Sequence, residues 1–375
     1  MAANNAIAHI INGQWPPIEQ QYNSYQLRIF DAIRRCRTSS LGGHLYVCNQ
    51  CKQLHYRYNS CRNRHCPQCQ NTQKEQWIQA REQQFIQCPY YHLVFTLPHQ
   101  LNELCMAYPR QLFAILMKTA WMTIEAFGWN HKYLGAQIGA TLVLHTWGSN
   151  LSFHPHVHCI VPGGGISLGG KWKNAKGNGK FLFPVKALSK KFKGLFLNQL
   201  DDFFQAQGLD NTQLLTHQIK TKDWVVYAKP PFGCKQGLIR YLARYTHNIA
   251  ISNHRIIAFD QYNVTFRYKD YRHGSQNKVM TLSAAEFVRR LSLHFLTKGF
   301  CRIRHYGILS SAWNQRMFAH LNKKEKISWE EFWKNKGLDV NQCPKCKKGY
   351  LIYIGKIDPI RGPPVYPEMK TANGI

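Results

Sequence analysis

The chain has 375 residues, 44% hydrophobic and 13% aromatic, which supplies apolar material for two or three domains with substantial cores and excludes an intrinsically disordered protein. Its 49 Lys and Arg outweigh 19 Asp and Glu for a formal net charge of +30, spread along the chain, so the expected partner is a polyanion, nucleic acid first. The start, "MAANNAIAHIINGQWPP", lacks the basic-then-apolar order of a signal peptide, Lys118 and Glu125 interrupt the most apolar helical stretch, and no polybasic amphipathic helix adjoins an apolar anchor. A soluble cytoplasmic protein is expected.

In chain order, Tyr22, Tyr25, Ile29 and Ile33 have helical spacing and predict a helix over residues 18–36. A cysteine block follows, within a total of 13 cysteines that a chain without an export signal uses for metal rather than for disulfides. Cys48/Cys51 and Cys66/Cys69 form CxxC pairs 14 residues apart, the pattern of a four-cysteine structural zinc site. Cys36, His44, Cys61 and His65 remain in the block and could form a second site, although His44, His55 and His65 could equally be surface or phosphate-contacting residues. Arg62 and Arg64 among the thiols suit contact with DNA. Cys343 and Cys346, in "CPKC", make half a zinc ribbon with no second half downstream; either distant residues complete it or it binds weakly.

A further helix is expected over "NTQKEQWIQAREQQFI", then a strand at 90–98 stopped by Pro98 and a long apolar helix from about 100 to 128. Two strands joined by the turn "GSNLS" span "GAQIGATLVLHTWGSNLSFHPHVHCIVPGG". Gly165, Gly170 and Lys171 nearly match a phosphate-binding loop, but Trp172 stands where the magnesium-binding hydroxyl belongs and no helix follows, which excludes an ATP site. Later come a strand in "DWVVYAKPPF", a helix over 235–248, strands near "RIIAFD" and "NVTFRYKDY", a helix in "SAAEFVRRLSLHFL", and a basic C-terminal segment.

Two constellations carry chemistry. On an extended strand His156 and His158 point the same way and could hold one metal ion, whereas a lone His-x-His pair is often structural; His154, on the same face before Pro155, could contact DNA, support the site or be a ligand. Tyr241 and Tyr245 lie four apart on one helix face beside Arg240 and Arg244, and in isolation would read as an aromatic pair against the core. Together they make a reaction: a metal polarises a phosphodiester oxygen while a tyrosine attacks phosphorus, and the resulting ester lets strands be rejoined without ATP. The acid-poor chain offers no carboxylate cluster for the alternative two-metal chemistry.

The succession "SCRNRHCPQCQ", "YYHLVFTLPH", "VLHTWGSNLSFHPHVHCIVPGGG", "FLFPVKALSKKFKG", "WVVYAKPPF", "RYLARYTHNIAISN" and "RIRHYGIL" resembles the two-tyrosine HUH transposases of rolling-circle bacterial insertion sequences, the insertion sequence 91 family, from about residue 30 to 310. The resemblance implies an α+β fold: a central antiparallel sheet carries the metal site, helices bring in the nucleophiles, and a zinc-binding module precedes them. On this reading residues 1–80 are the zinc-binding, DNA-contacting domain, 81–310 the single-strand endonuclease core and 311–375 a basic segment with its CxxC. It implies structural Zn²⁺, catalytic Mg²⁺ or Mn²⁺, single-stranded DNA at transposon ends and target DNA as partners, and a bacterial, nucleoid-associated location. The family motif falls on His156 and His158 for the metal and on Tyr241 and Tyr245 for the nucleophiles. For a third metal ligand His145 is favoured by its place on the neighbouring strand, ahead of Asn150 and Glu125. No helicase motif is seen, so strand separation would come from host helicase or replication proteins, or from DNA already unpaired. The rival readings are a zinc-dependent DNA-binding regulator with a silent core, and a metal-dependent hydrolase of small molecules, for which the charge and the paired tyrosines have no use.

Neutralising six to ten phosphates should lower affinity for single-stranded DNA by about 10²–10⁴-fold between roughly 50 and 200 mM salt. A flat salt dependence in an anisotropy titration would point to another partner.

Overall fold

The computed structural model describes residues 5–70, 74–75, 86–176, 182–209, 217, 219–229, 249–271, 274–313 and 328–364. Three short helices come first, α1 (Ala6–Gly13), α2 (Trp15–Gln21) and α3 (Ser24–Arg35). The single helix expected over 18–36 is therefore broken. Tyr22 is extended at ψ 149°, and Asn23 starts a new helix by accepting the N–H groups of Tyr25 and Gln26 while Gln26 accepts the N–H of Asn23. The chain continues through β1 (Gly43–Cys48), β2 (Leu54–Tyr58), β3 (Tyr90–Thr96), α4 (Asn102–Ala107) and α5 (Pro109–Trp129). The helix expected from 100 to 128 splits at Tyr108 because Pro109 disfavours helical backbone in the residue before it.

The predicted hairpin is present as β4 (Gly139–Trp147) and β5 (Phe153–Pro162), and the glycine-rich stretch after it contains the short pair β6 (Gly164–Ile166) and β7 (Trp172–Asn174). Next are α6 (Val185–Gln207), β8 (Val226–Lys229), β9 (Ile256–Phe259), β10 (Asn263–Asp270), β11 (Gln276–Ser283), α7 (Ala284–Ser292), β12 (Ile303–Gly307), α8 (Trp329–Lys334) and β13 (Leu351–Ile357). The helix expected over 235–248 lies outside the described residues, as does most of the one in "NTQKEQWIQAREQQFI".

The fold is α+β, with a central five-stranded antiparallel sheet in the order β12-β4-β5-β3-β8. Alternation divides its side chains into two sets. Leu93 and Phe95 on β3, Leu142 and Leu144 on β4, and Val157, Cys159 and Val161 on β5 pack into one core with α5 and α6. His92, His145, His156 and His158 occupy the alternate positions and so point to the other face. A second core joins α1 and α3 to the sheet β11-β10-β9 and α7, and takes in Leu151 from the β4–β5 turn. The N-terminal helices are thus packed against residues more than 200 positions away: Asn253 Oδ1 accepts the N–H of Ile7 at 3.1 Å, with a sequence separation of 246.

The C-terminal segment also returns to the start of the chain. β13 pairs antiparallel with β1, from Gly43 opposite Ile357 to Cys48 opposite Leu351, completing the sheet β13-β1-β2.

Phe192 on α6 is fully buried against Phe95, 4.9 Å between ring centroids, and Trp224, 5.4 Å. Phe192→Ala should cost about 3–5 kcal/mol through lost burial and a cavity under the sheet, measured by denaturant unfolding.

Candidate active site

β5 carries His156 and His158 on one face, and antiparallel pairing sets His145 of β4 directly opposite His156. A ligand nitrogen from each of the three histidines lies within 4.8 Å of the others. The Nε2 atoms of His156 and His158 are 3.1 Å apart, and the His145 ring lies edge-on to that of His158 with centroids 4.5 Å apart. Two ligands at right angles on one ion with bonds of about 2.1 Å are about 3 Å apart, so the arrangement fits one shared divalent cation.

The other ring nitrogens fix these orientations. His156 Nδ1–H donates to the His154 carbonyl at 2.7 Å, and His158 Nδ1 is 2.8 Å from Nε2 of His92 on β3. In the tautomer that makes both bonds, the Nε2 lone pairs of His156 and His158 face each other, as metal ligands require. Burial, reinforced by neighbouring imidazoles, pushes His158 well below its ordinary value; burial and the neighbouring His154 bring His156 to about 4. His92 is brought to about 3, chiefly by burial and then by Lys229 and His156. At neutral pH these rings are uncharged and their lone pairs are available for coordination.

His92 is the site residue that the sequence reading does not find. A single histidine in the apolar run "YYHLVFTLP" has no periodic signal, and only the β3–β5 register, with Val94 opposite His158, brings it to that ring. The weaker candidates are otherwise engaged. Asn150 Oδ1 accepts both the N–H and the hydroxyl of Ser152 within the turn, and Glu125 belongs to α5, which packs on the opposite face of the sheet. Tyr241, Tyr245, Arg240 and Arg244 lie outside the described residues.

The turn that aims these histidines is fastened by the second core. Arg290 donates to the carbonyl of Asn150 at 3.3 Å, Arg255 to that of Ser149, and Ser149 Oγ accepts the N–H of Lys269 at 2.7 Å. Buried His294 contacts Thr146 Oγ1 at 3.2 Å and the Leu151 carbonyl at 3.3 Å.

The cysteines group differently from the spacing-based expectation. Cys66 and Cys69 join Cys36 and Cys61, whereas Cys48 and Cys51 join Cys343 and Cys346. The reason is the length of β1. Cys36, Cys61, Cys66 and Cys69 gather beyond its Gly43 end, Cys48 is at its other end, and five residue steps at about 3.3 Å put roughly 17 Å between those ends. No ion could span Cys48 and Cys66. In the first cluster Cys69 Sγ is 3.6 Å from the sulfurs of both Cys36 and Cys61. Zn–S bonds of about 2.3 Å make a tetrahedron with edges of about 3.8 Å, so the donor set fits zinc. Contacts among the thiols, Cys36 first, pull Cys69 down and push Cys61 and Cys66 up, the pattern of sulfurs crowded around one shared charge.

The second set proposed from sequence, Cys36, His44, Cys61 and His65, is corrected accordingly. His44 is exposed on β1 near the Tyr353 ring, and His65 packs 5.2 Å from the Phe295 ring, its value lowered to about 3 mainly by burial. Arg64, expected at the DNA surface, instead donates to the carbonyls of Phe300 at 2.6 Å, Thr297 at 2.8 Å and Leu296 at 3.1 Å, which makes it a fastener between the cysteine module and the loop before β12. Arg62 is exposed.

Residues 139–316 match the family model described as "Putative transposase", and residues 10–97 match the one described as "Transposase zinc-binding domain". The "Putative transposase y4qJ" of Sinorhizobium fredii is 38% identical over 368 residues, covering 90% of this chain and 91% of that protein. This chain belongs to the insertion sequence 91 family of transposases. The transposase is also 29% identical over 327 residues to the "Transposase for insertion sequence element IS801" of Pseudomonas savastanoi pv. phaseolicola, covering 82% of this chain and 75% of that one. Among solved structures, it is similar to the conjugative relaxase TrwC in complex with OriT DNA, metal-bound, with 10% identity and a TM-score of 0.26 over 41% of this chain and 69% of that one. The metal-free form of that complex gives 11% identity and a TM-score of 0.25 over 41% and 70%.

His158→Ala should abolish divalent-ion binding at the histidine cluster. His92→Ala should weaken it about 10–100-fold by releasing the ring of His158. Calorimetric titration with Mn²⁺ checks both; wild-type affinity in the His92 variant would show that its bond does not orient the ligand.

Proposed function

We propose that this transposase cleaves and rejoins single-stranded DNA at the ends of its element through a 5′-phosphotyrosine intermediate. The observation that carries the proposal is the convergence of His145, His156 and His158, with a ring nitrogen of each within 4.8 Å of the others on the face of the sheet not covered by α5 and α6. A divalent ion there would polarise a non-bridging oxygen of the scissile phosphate. An all-imidazole donor set favours a transition ion such as Mn²⁺ over Mg²⁺.

The nucleophile is Tyr241 or Tyr245. A tyrosine with an ordinary pKa of about 10 must lose its proton as its oxygen attacks phosphorus. The new P–O bond joins tyrosine to the 5′ side of the break, while the P–O bond to the 3′ side cleaves and that oxygen leaves as a hydroxyl, taking up a proton. Attack by another 3′-hydroxyl on the ester reverses these steps, releases the tyrosine and joins the new strand. No nucleotide triphosphate is needed. Two tyrosines suit two strand transfers, one holding a 5′ end while the other cleaves again or engages the target. Lys and Arg over the rest of the surface hold the DNA by its phosphates, and Cys36, Cys61, Cys66 and Cys69 hold structural zinc under the N-terminal helices. Such an enzyme works in the bacterial cytoplasm on nucleoid DNA, with unpaired strands supplied by host helicase or replication proteins.

No helix among the described residues is long and apolar enough to cross a membrane. Tyr227 is half-exposed on the same sheet face as His158, two strands away and roughly 10 Å distant by strand spacing, which makes it a competing nucleophile.

With end-labelled single-stranded DNA and Mn²⁺, the wild-type chain should yield a denaturation-resistant adduct. Tyr241→Phe and Tyr245→Phe should each lose transposition, and in the double variant adduct formation should fall at least about 10³-fold while DNA binding persists. Mass spectrometry of the adduct decides the residue: a linkage confined to Tyr227 or Tyr262 overturns the assignment, and binding without any adduct supports a silent regulator instead.

A further inference from the structure

We propose that Cys48, Cys51, Cys343 and Cys346 form a second structural zinc site, a clasp that ties the C-terminal segment to the N-terminal module. Cys48 and Cys346 are 298 positions apart in sequence, yet their sulfurs are 3.7 Å apart, and those of Cys51 and Cys343 are 3.8 Å apart. These are the edges of a tetrahedron whose bonds are about 2.3 Å. They are far longer than a disulfide of about 2.05 Å, and all four cysteines are unpaired thiols.

Both halves are built alike. In each CxxC turn the residue after the second cysteine closes on the first: Lys52 N–H donates to the Cys48 carbonyl at 3.0 Å and Lys347 N–H to the Cys343 carbonyl at 2.9 Å. Lys52 and Lys347 share a φ of 56°. A left-handed residue at the same place in two unrelated stretches of sequence indicates one shared requirement, that of bending backbone around a central atom. Each half also directs N–H groups at sulfur. Cys51 N–H donates to Cys48 Sγ at 3.4 Å and Gly349 N–H to Cys346 Sγ at 3.4 Å, and His55 Nε2 is 3.4 Å from Cys343 Sγ. Such donors stabilise thiolates, the form that binds metal.

The two halves meet too closely for the fit to be incidental. A Cβ on Gly349 would lie 2.6 Å from Cys48 Sγ, so only glycine lets the returning strand approach the sulfur. Asn49 N–H donates to the Tyr350 carbonyl at 3.0 Å, the Asn49 side chain accepts the N–H of Tyr350 at 2.8 Å, and Arg57 donates to the Val340 carbonyl at 2.5 Å. Cys48 and Cys343 are fully buried. Four thiolates at tetrahedral spacing favour zinc among the common divalent ions. The module matched over residues 10–97 is accordingly incomplete on its own, because half of these ligands and the third strand of its sheet come from residues 343–357.

The test uses the full-length chain. Metal analysis of the Cys343→Ser/Cys346→Ser variant should find one zinc fewer per chain than in wild type. Trypsin should then cleave at Lys345, Lys347 and Lys348 at least tenfold faster, whereas Cys343→His, which can still ligate, should retain both the metal and the protection. Unchanged zinc content in the serine variant overturns the proposal, as does loss of zinc with unchanged protection. Should the serine variant fail to fold, cobalt(II) titration of the wild-type chain decides: two ions with tetrathiolate spectra support the clasp, and a single such ion overturns it.

Discussion

The pairing of β4 with β5 is the constraint on which the candidate active site depends. With His145 opposite His156 and Val143 opposite His158, three imidazoles share one face while Leu142, Leu144, Val157 and Cys159 fill the core beneath α5 and α6. Slipping one strand by a single residue would turn every side chain to the wrong face, sending histidines into the apolar layer. Burial of the alternate positions therefore holds the register, and the register holds the geometry. The turn is not left to its own stiffness: Arg255, Arg290 and His294, from segments that flank or form the second core, bond to backbone carbonyls of Ser149, Asn150 and Leu151.

Charge is managed by the same burial. In a protein of net charge +30, His92, His156 and His158 stay neutral, because low-dielectric surroundings and adjacent charged or imidazole groups disfavour protonation. Neutral rings keep their lone pairs available for coordination. His92 extends the arrangement by one strand, fixing His158 from behind. Arg64 shows the converse use of charge, in which a guanidinium satisfied by three backbone carbonyls joins two parts of the chain instead of meeting DNA.

The two ends of the chain are interlocked. α1 and α3 pack with β9–β11 and α7, and β13 lies beside β1. Bringing together segments nearly 300 residues apart carries a loop-closure cost that grows slowly with length, so a few strong contacts are enough to hold the ends. An ordered sheet edge, buried cysteines and a close glycine approach supply them here.

Much of this is written locally in the sequence. The β4–β5 hairpin can be read because its two strand-like runs and its "GSNLS" turn are contained in some twenty-five residues, and the period of two along a strand puts His156 and His158 together. The CxxC turns and the basic charge are equally local. Helix breaks are less so: Pro109 can be read, but the cap at Asn23 is hidden in a run of helical spacing. α6 carries Leu188, Phe192, Phe196 and Leu200 at helical spacing under a lysine-rich surface, yet the sequence reading names no helix there. Only the tertiary structure decides which cysteines meet, since spacing along the chain says nothing of the length of β1 that separates Cys48 from Cys66 or of the return of Cys343. It alone decides, too, that His92 supports His158 and that Arg64 is structural. Periodicity reports which face a residue occupies; partnership across strands depends on register and on chain return, and these are fixed by burial summed over the whole fold.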